Sequence, residues 1–457
     1  MKINKKTVVN KYTAEGAKAS RISLLEELER TLMGCLLWED AFYEDGISIS
    51  ERIKELVMTI PDNEAVANLA IRARNDMNLR HAPLWVARWL AKKGYIDTDC
   101  LLDIIIQRPD ELTEFLALYW KDGKEPLSKK VKTGLAKAFT KFNEYQLAKY
   151  NRDADVKLRD VLFLCHAKPK DKEQEKLWKK LIDNTMTIPD TWETNLSAGK
   201  DKKKTWERLM KEKKLGGLAL LRNLRNMEQE KVDTSLIKKS IESMNTERIL
   251  PFRFITASRY APKLEPELET AMFKCIEDHP KLPGKTILVV DTSGSMYGYG
   301  NVSKKSELTR VDAAAALAML IREIAEEPVV YATAGNDSTR IHATKLLPPR
   351  KGFALRDLIA GNSLMSQIGG GGIFLTQCMQ YIYDKEIWAD RVIVITDEQD
   401  CDYNYSPEKA LAFGHNNYII NISVEKNGIA YRKWTHINGF SEKIIDFILA
   451  YENQGGQ

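Results

Sequence analysis

The sequence predicts a multidomain protein: amphipathic helices over residues 1–280, then a doubly wound, mostly parallel α/β domain over 281–457. Three observations predict this. At 457 residues the chain is longer than one hydrophobic core usually serves. From Ile22 to about Ile276 the apolar residues recur at three- and four-residue spacing, as in Leu24, Leu25, Leu28, Leu32 and Leu36, or Leu112, Phe115, Leu116 and Tyr119. After Pro283 and Gly284 the pattern changes to short β-branched runs, Ile287 to Asp291, Val329 to Thr333, Arg391 to Asp397 and Tyr418 to Ser423, separated by helical stretches such as Val311 to Glu327. Continuous apolar strands alternating with helices indicate a parallel sheet covered on both faces.

Within the first part the helical pattern breaks at Tyr43 to Gly46, Ile60 to Asn63, Arg108 to Asp110, Gly123 to Pro126, Ile188 to Asp190 and Ala261 to Pro266. Similar helices joined by short turns suggest stacked pairs of the solenoid kind, although no strict sequence period is visible.

Composition narrows the class. With 44% hydrophobic and 9% aromatic residues, wholesale disorder is excluded. The cysteines, Cys35, Cys100, Cys165, Cys275, Cys378 and Cys401, form no close pair, which argues against a zinc ribbon or a disulfide framework and for a reducing compartment. The basic start, MKINKKTVVNKY, leads into no long apolar stretch, so a cytoplasmic protein with no membrane span is expected. Charge is unevenly placed: residues 121–231 hold 28 Lys and Arg against 17 Asp and Glu, a local net of +11 within a total of +5. A polyanion partner would explain this; lysines on solvated helix faces would too.

The α/β part carries one motif with chemistry in it. The run Ile287 to Val290 leads directly into DTSGSM, Asp291 to Met296, and another strand ends at Asp397. Ligands of open α/β sheets bind beyond the carboxyl ends of strands. Asp291, Ser293 and Ser295 alternate along their loop, so their oxygens can face one spot, as a hard cation such as Mg²⁺ requires. A capped turn at a helix start would produce the same string. The motif resembles the metal-ion-dependent adhesion site of von Willebrand factor A domains, whose DxSxS pattern Asp291, Ser293 and Ser295 match in full. That family also draws on a threonine after a glycine pair. Here the loop reads GGGGIFLTQC, with Ile373 at the threonine's place; Thr376 substitutes if the loop is re-registered, and otherwise the site lacks its threonine.

The helical part resembles the TROVE family, that of the Ro autoantigen, in LRHAPLWVARWLA (Leu79 to Ala91), LSKKVKTGLAKAFTKFNEYQLAKY (Leu127 to Tyr150), LRDVLFLCHAKP (Leu158 to Pro169), TWETNLSAGKDKKKTWERL (Thr191 to Leu209), LGGLALLRNLRNM (Leu215 to Met227) and RILPFRFITASRYAP (Arg248 to Pro262). The resemblance implies HEAT-like repeats closed into a ring and clasped by the A-type domain. It also implies binding of small noncoding Y RNAs on the outer surface and of misfolded RNA ends in a central hole, in RNA quality control or processing. Bacterial relatives resemble adaptors for the exoribonuclease polynucleotide phosphorylase, and a monomer is expected. Of the family's outer Y RNA site, Lys149 and His166 match; an arginine expected four residues after the lysine is replaced by Asp153, with Arg152 beside it. Lys149 and Arg159 are expected to contact phosphates, and His166 to hydrogen-bond or stack; the alternative for His166 is a buried helix histidine.

Further candidates for backbone contact are Lys200 and Lys202 in the run GKDKKK, and Arg222 with Arg225, three apart on one helix face. Trp192 and Trp206 are either base-stacking or core residues.

Catalysis is not expected. GKT (Gly284 to Thr286) precedes its strand and has His279 where a phosphate loop needs glycine, and the six histidines make no paired-ligand spacing. The competing class is a protein-binding helical scaffold whose A-type domain adheres to proteins through its metal.

Overall fold

The structure, a computed structural model, describes residues 12–453 except 15, 17–18, 20–22, 34–45, 152–154, 247–248, 250–251, 278, 298–308, 403–412, 414–415, 424–427, 430–433 and 440–442. The chain forms two compact units. One is the contiguous stretch 48–214; the other joins residues 1–47 to 215–457. The change from helices to strands falls between the helix Glu265–Lys274 and the strand starting at Leu282, inside the second unit.

The contiguous unit is helical throughout, and its breaks follow local chemistry. The helix Asn63–Asn75 starts where Asp62 accepts a hydrogen bond from the Ala65 amide at 2.9 Å. The helix His81–Lys93 ends at Gly94, whose φ of 86° closes the last turn. Pro109 opens a further helix, Pro109–Tyr119.

A buried ion pair ties these helices together. Glu111 is fully buried and receives both Arg74 Nη2 (2.8 Å) and Arg80 Nε (3.2 Å), while the Gln107 and Arg108 amides donate to its other oxygen. Arg74 also caps the helix Thr98–Ile105 by donating from Nε to the Ile105 carbonyl at 2.9 Å.

In the other unit six strands lie in the order β3-β2-β1-β4-β5-β6: β1 Leu282–Asp291, β2 Ala325–Asn336, β3 Ile341–Leu346, β4 Arg391–Thr396, β5 Asn416–Asn421 and β6 Thr435–Asn438. All neighbours run parallel except the β2–β3 pair. The four runs expected from sequence are β1, β2, β4 and β5. Pro283 and Gly284, expected as a break, instead form an irregular start to β1, where the register with β2 shifts and Gly284 takes a φ of 74°. The helix expected over Val311 to Glu327 is Arg310–Ile324, and its last expected residues open β2.

Chain order reverses at β1, whose neighbours are β2 on one side and β4 on the other, so a crevice opens beyond their carboxyl ends. Among the described residues, no helix is long and apolar enough to cross a membrane.

Because Glu111 has no exposed surface and meets the buried Arg74, Glu111→Ala leaves Arg74 charged, buried and without its carboxylate. Urea denaturation is expected to show a loss of about 3–5 kcal/mol. A loss of about 1 kcal/mol, the size of an exposed pair, would contradict the assignment.

Candidate metal centre and nucleic-acid interface

β1 is buried along its last six residues and delivers Asp291 to the crevice with no exposed surface. There the chain turns. Thr292 donates through its amide to the Thr333 carbonyl (2.8 Å), and the Ser293 amide donates to Asp291 Oδ1 (2.8 Å). The Gly294 amide donates to Gly371 (2.9 Å), and a Cβ on Gly294 would lie 3.1 Å from the Gly370 carbonyl, so the glycine run of residues 369–372 sits directly against this loop.

The turn aims the predicted oxygens at one place. Ser295 Oγ donates to Asp397 Oδ2 at 2.6 Å and lies 3.3 Å from Ser293 Oγ, while Thr396 Oγ1 donates to Asp291 Oδ2 at 2.6 Å. Asp291, Ser293, Ser295 and Asp397 thus form one connected cluster. The buried side chain of Arg310 approaches Asp397 Oδ2 at 3.5 Å. Burial, with the nearby Asp397 charge second, pushes the Asp291 carboxyl up to about 7. Two buried carboxylates with two hydroxyls suit a hard divalent cation, which would relieve that repulsion. No group of three or more His, Cys, Asp or Glu side chains suited to a metal occurs among the described residues, so an ion here would depend on the hydroxyls.

Thr376 is not joined to this cluster by any hydrogen bond among the described residues. It lies in the first turn of the helix Leu375–Lys385, its hydroxyl buried and without a partner. Ile373 is fully buried in the apolar cluster with Val289, Val394 and Met379, and its carbonyl accepts from the Cys401 amide at 2.9 Å. The position where the motif would put a threonine is therefore committed to the core.

The loop after β4 is held from the other end of the chain. Arg30, on the helix Leu24–Met33, donates to fully buried Glu398, whose other oxygen lies 2.9 Å from His436 Nδ1. Thr13 Oγ1 donates to the Asp400 carbonyl and the Ala14 amide to Gln399 Oε1, each at 2.8 Å. Burial alone would raise the Glu398 carboxyl; Arg30 and His436 hold it below its ordinary value. Asp400 has backbone amides for partners and no such cation, and burial pushes it up to about 7.

In the helical unit, the helix Leu158–Cys165 buries Leu158, Val161, Leu162 and Cys165. His166 follows as its C-cap in the left-handed conformation, φ 52°, and is exposed, which removes the alternative of a buried histidine. It lines a groove of about 760 Å³ together with Lys129, Lys132, Lys137, Lys141 and Lys168. These lysines are of two kinds. Lys137 pairs with Asp99 at 2.8 Å and, with Lys130, pulls the Asp99 carboxyl down to about 2; Lys141 donates to the Ile106 carbonyl at 2.7 Å. The side-chain ammonium groups of Lys129, Lys132 and Lys168 have no hydrogen-bond or ion-pair partner among the described residues.

The remaining RNA candidates are dispersed. Lys149 is half-buried, 3.7 Å from Glu193, and does not line the groove; neither does Arg159, whose side chain is exposed beside Asp160. Arg152 lies outside the described residues. Lys200 donates to Asn195 at 2.7 Å, and Lys202 is exposed at the start of the helix Lys202–Lys211. Trp206 is fully buried and stacks on Trp192 at 5.6 Å, so its role is core packing. Arg222 and Arg225 are exposed on the helix Gly217–Gln229 in the other unit, Arg225 lying 5.2 Å from the Tyr260 ring. Sequence reasoning missed the groove lysines, together with Thr396 and Arg310.

A helical segment leading into a mostly parallel sheet with converging loop oxygens defines a two-part, helical and α/β, protein. Residues 184–351 match the TROVE domain family. The chain thus carries a match to that family over part of its length. Its fold is similar to that of the Ro protein (RSR) of Deinococcus radiodurans, with a TM-score of 0.58 and 18% identity over 95% of this chain and 100% of that one. No curated protein matches the chain significantly.

The raised carboxyls carry a pH dependence with a definite sign. Between about pH 5 and 7 the unfolded chain has released the Asp291 proton while the native state still holds it, so this group costs stability as pH rises, and the effect levels off above about 7. His342, lowered by burial, acts in the opposite direction, so the comparison needs Asp291→Asn. In chelator-containing buffer, wild type is expected to lose stability relative to Asp291→Asn from pH 5 to 7. Parallel stability curves for the two proteins would refute this.

Proposed function

We propose that this chain is an RNA-binding protein of the Ro type, acting by binding and not by catalysis. The observation that carries this reading is the groove in which exposed His166, the residue matched to the family's outer site, stands among five lysines, three of them without protein partners. Unpaired ammonium groups around a concave surface suit phosphodiesters, which supply affinity without reading sequence. In this reading small noncoding RNAs of the Y type engage the face bearing His166, Lys149 and Arg159. Lys200, Lys202, Arg222 and Arg225 add contacts to single-stranded or misfolded RNA, in RNA quality control or processing. An exoribonuclease such as polynucleotide phosphorylase is the proposed partner, and a cytoplasmic monomer the proposed form. The HEAT-like ring and the A-type character of the sheet domain belong to the same proposal.

Purified protein should carry RNA, seen as an absorbance ratio shifted toward 260 nm, and its affinity should fall with salt on a log–log slope of several units. Lys132→Ala with Lys168→Ala should lower that slope by about one unit each. A flat salt response in filter binding would count decisively against RNA and favour a protein-binding scaffold.

We further propose that Asp291, Ser293, Ser295 and Asp397 hold Mg²⁺, which supplies positive charge to the two carboxylates. Binding only the native state, the ion should stabilise the sheet domain by about 2.7 kcal/mol at 100 times its Kd. In calorimetry Asp291→Ala should abolish that increment, and Thr376→Ala should leave it in place because the Thr376 hydroxyl makes no hydrogen bond to the cluster among the described residues. An unchanged wild-type melting temperature at millimolar Mg²⁺ would end the proposal.

A further inference from the structure

We propose that Phe163 is a platform on which an unpaired RNA base stacks, so that the face Arg159–Phe163–His166 takes a single-stranded segment and does not merely grip a duplex backbone. The inference rests on the RNA-binding reading and adds to it a residue and a substrate class. Phe163 lies on the helix Leu158–Cys165 opposite the buried Leu158, Val161 and Cys165, with 56% of its surface exposed. Arg159 stands four residues before it on the same helix face, and His166, the helix's C-cap, follows three residues after it with its amide donating to the Phe163 carbonyl at 3.3 Å. Their chemistry runs in sequence: a guanidinium, an aromatic ring, an imidazole at the rim of the lysine groove.

The ring is unengaged. Several other aromatics of this unit are paired, among them Phe139 with Trp178 at 5.4 Å and Trp85 with Trp89 at 5.4 Å. Phe163 makes no ring or cation contact among the described residues. A single exposed apolar side chain needs no explanation by itself. What distinguishes this one is its place beside His166 and a groove lined by Lys129, Lys132 and Lys168.

Cations around an open aromatic face are the pairing that single-stranded nucleic acid uses, phosphates on the lysines and a base on the ring. A continuous duplex keeps its base faces stacked inside and offers such a ring nothing. The occupant with a π-face and a phosphate at once is therefore an unpaired nucleotide.

The test uses the full chain and two RNAs, a hairpin with a single-stranded tail and the same hairpin blunt-ended, the tail carrying a 2-aminopurine. Phe163→Ala is expected to weaken binding of the tailed RNA by about tenfold, from the usual worth of one base–aromatic stack. The salt slope should not change, because no phosphate contact is lost. Phe163→Trp should restore affinity, and the 2-aminopurine should be quenched by wild type and Phe163→Trp but not by Phe163→Ala. Blunt RNA should bind all three proteins alike. If wild type binds the tailed RNA and Phe163→Ala binds it equally well, or if both RNAs lose affinity equally, the stacking inference is wrong while RNA binding stands. If wild type binds neither RNA, the RNA reading falls and this inference with it.

Discussion

Four carboxylates at one end of the sheet, Asp291, Asp397, Glu398 and Asp400, have no exposed surface, and the neighbouring structure is arranged around that fact. Taking a carboxylate out of water costs several kcal/mol unless donors or cations replace the solvent. Each of the four is met differently: Asp291 by the Thr396 hydroxyl and the Ser293 amide, Asp397 by Ser295 and Arg310, Glu398 by Arg30 and His436, and Asp400 by the amides of Leu375 and Asp402. Satisfying Glu398 brings the helix Leu24–Met33 into the same compact unit as the sheet, although 368 residues separate Arg30 from its partner. Among the described residues no cation pairs with Asp291 or Asp400, and burial pushes both carboxyls up to about 7.

The sheet core was readable because burial on both faces demands unbroken apolar runs, as in Ile287 to Val290 and Val392 to Ile395. The outer strands were not. β3, IHATKL, lies at the edge with a half-exposed pattern, and β6, THIN, is four residues long and half polar, so neither carries the signal of a buried strand. The oxygen cluster was legible in Asp291, Ser293, Ser295 and Asp397 because spacing and position after a strand are local properties. Arg310, Thr396 and Arg30 were not, since nothing in their own neighbourhoods shows which distant carboxylate they face.

The helical unit teaches a related distinction about charge. A local excess of lysine marks a region but not a surface, because some of that charge is consumed internally. Lys130 and Lys137 share Asp99, Lys180 pairs with Glu144, and Lys141 closes the end of the helix Thr98–Ile105. Lys129, Lys132 and Lys168 remain for a ligand, and only coordinates separate them from the others. The same holds for the aromatics: the sequence left Trp206 as either a base-stacking or a core residue and it is core, whereas Phe163, unremarked in the sequence, keeps an open face.

The unit that contains the sheet is assembled from both ends of the chain, residues 1–47 and 215–457, and this has a consequence for the order of events during synthesis. At roughly 5–20 residues per second, Arg30 leaves the ribosome some tens of seconds before Glu398 exists. Throughout that interval the apolar face of Leu28, Leu32 and Met33 has none of its final neighbours from the sheet. The contiguous stretch 48–214 faces no such delay, since all of its own residues are available once Lys214 has emerged. Newly made chains therefore pass through a stage with one unit's sequence complete and the amino-terminal helix still waiting, and that is the stage at which a chaperone or a protease would find this protein.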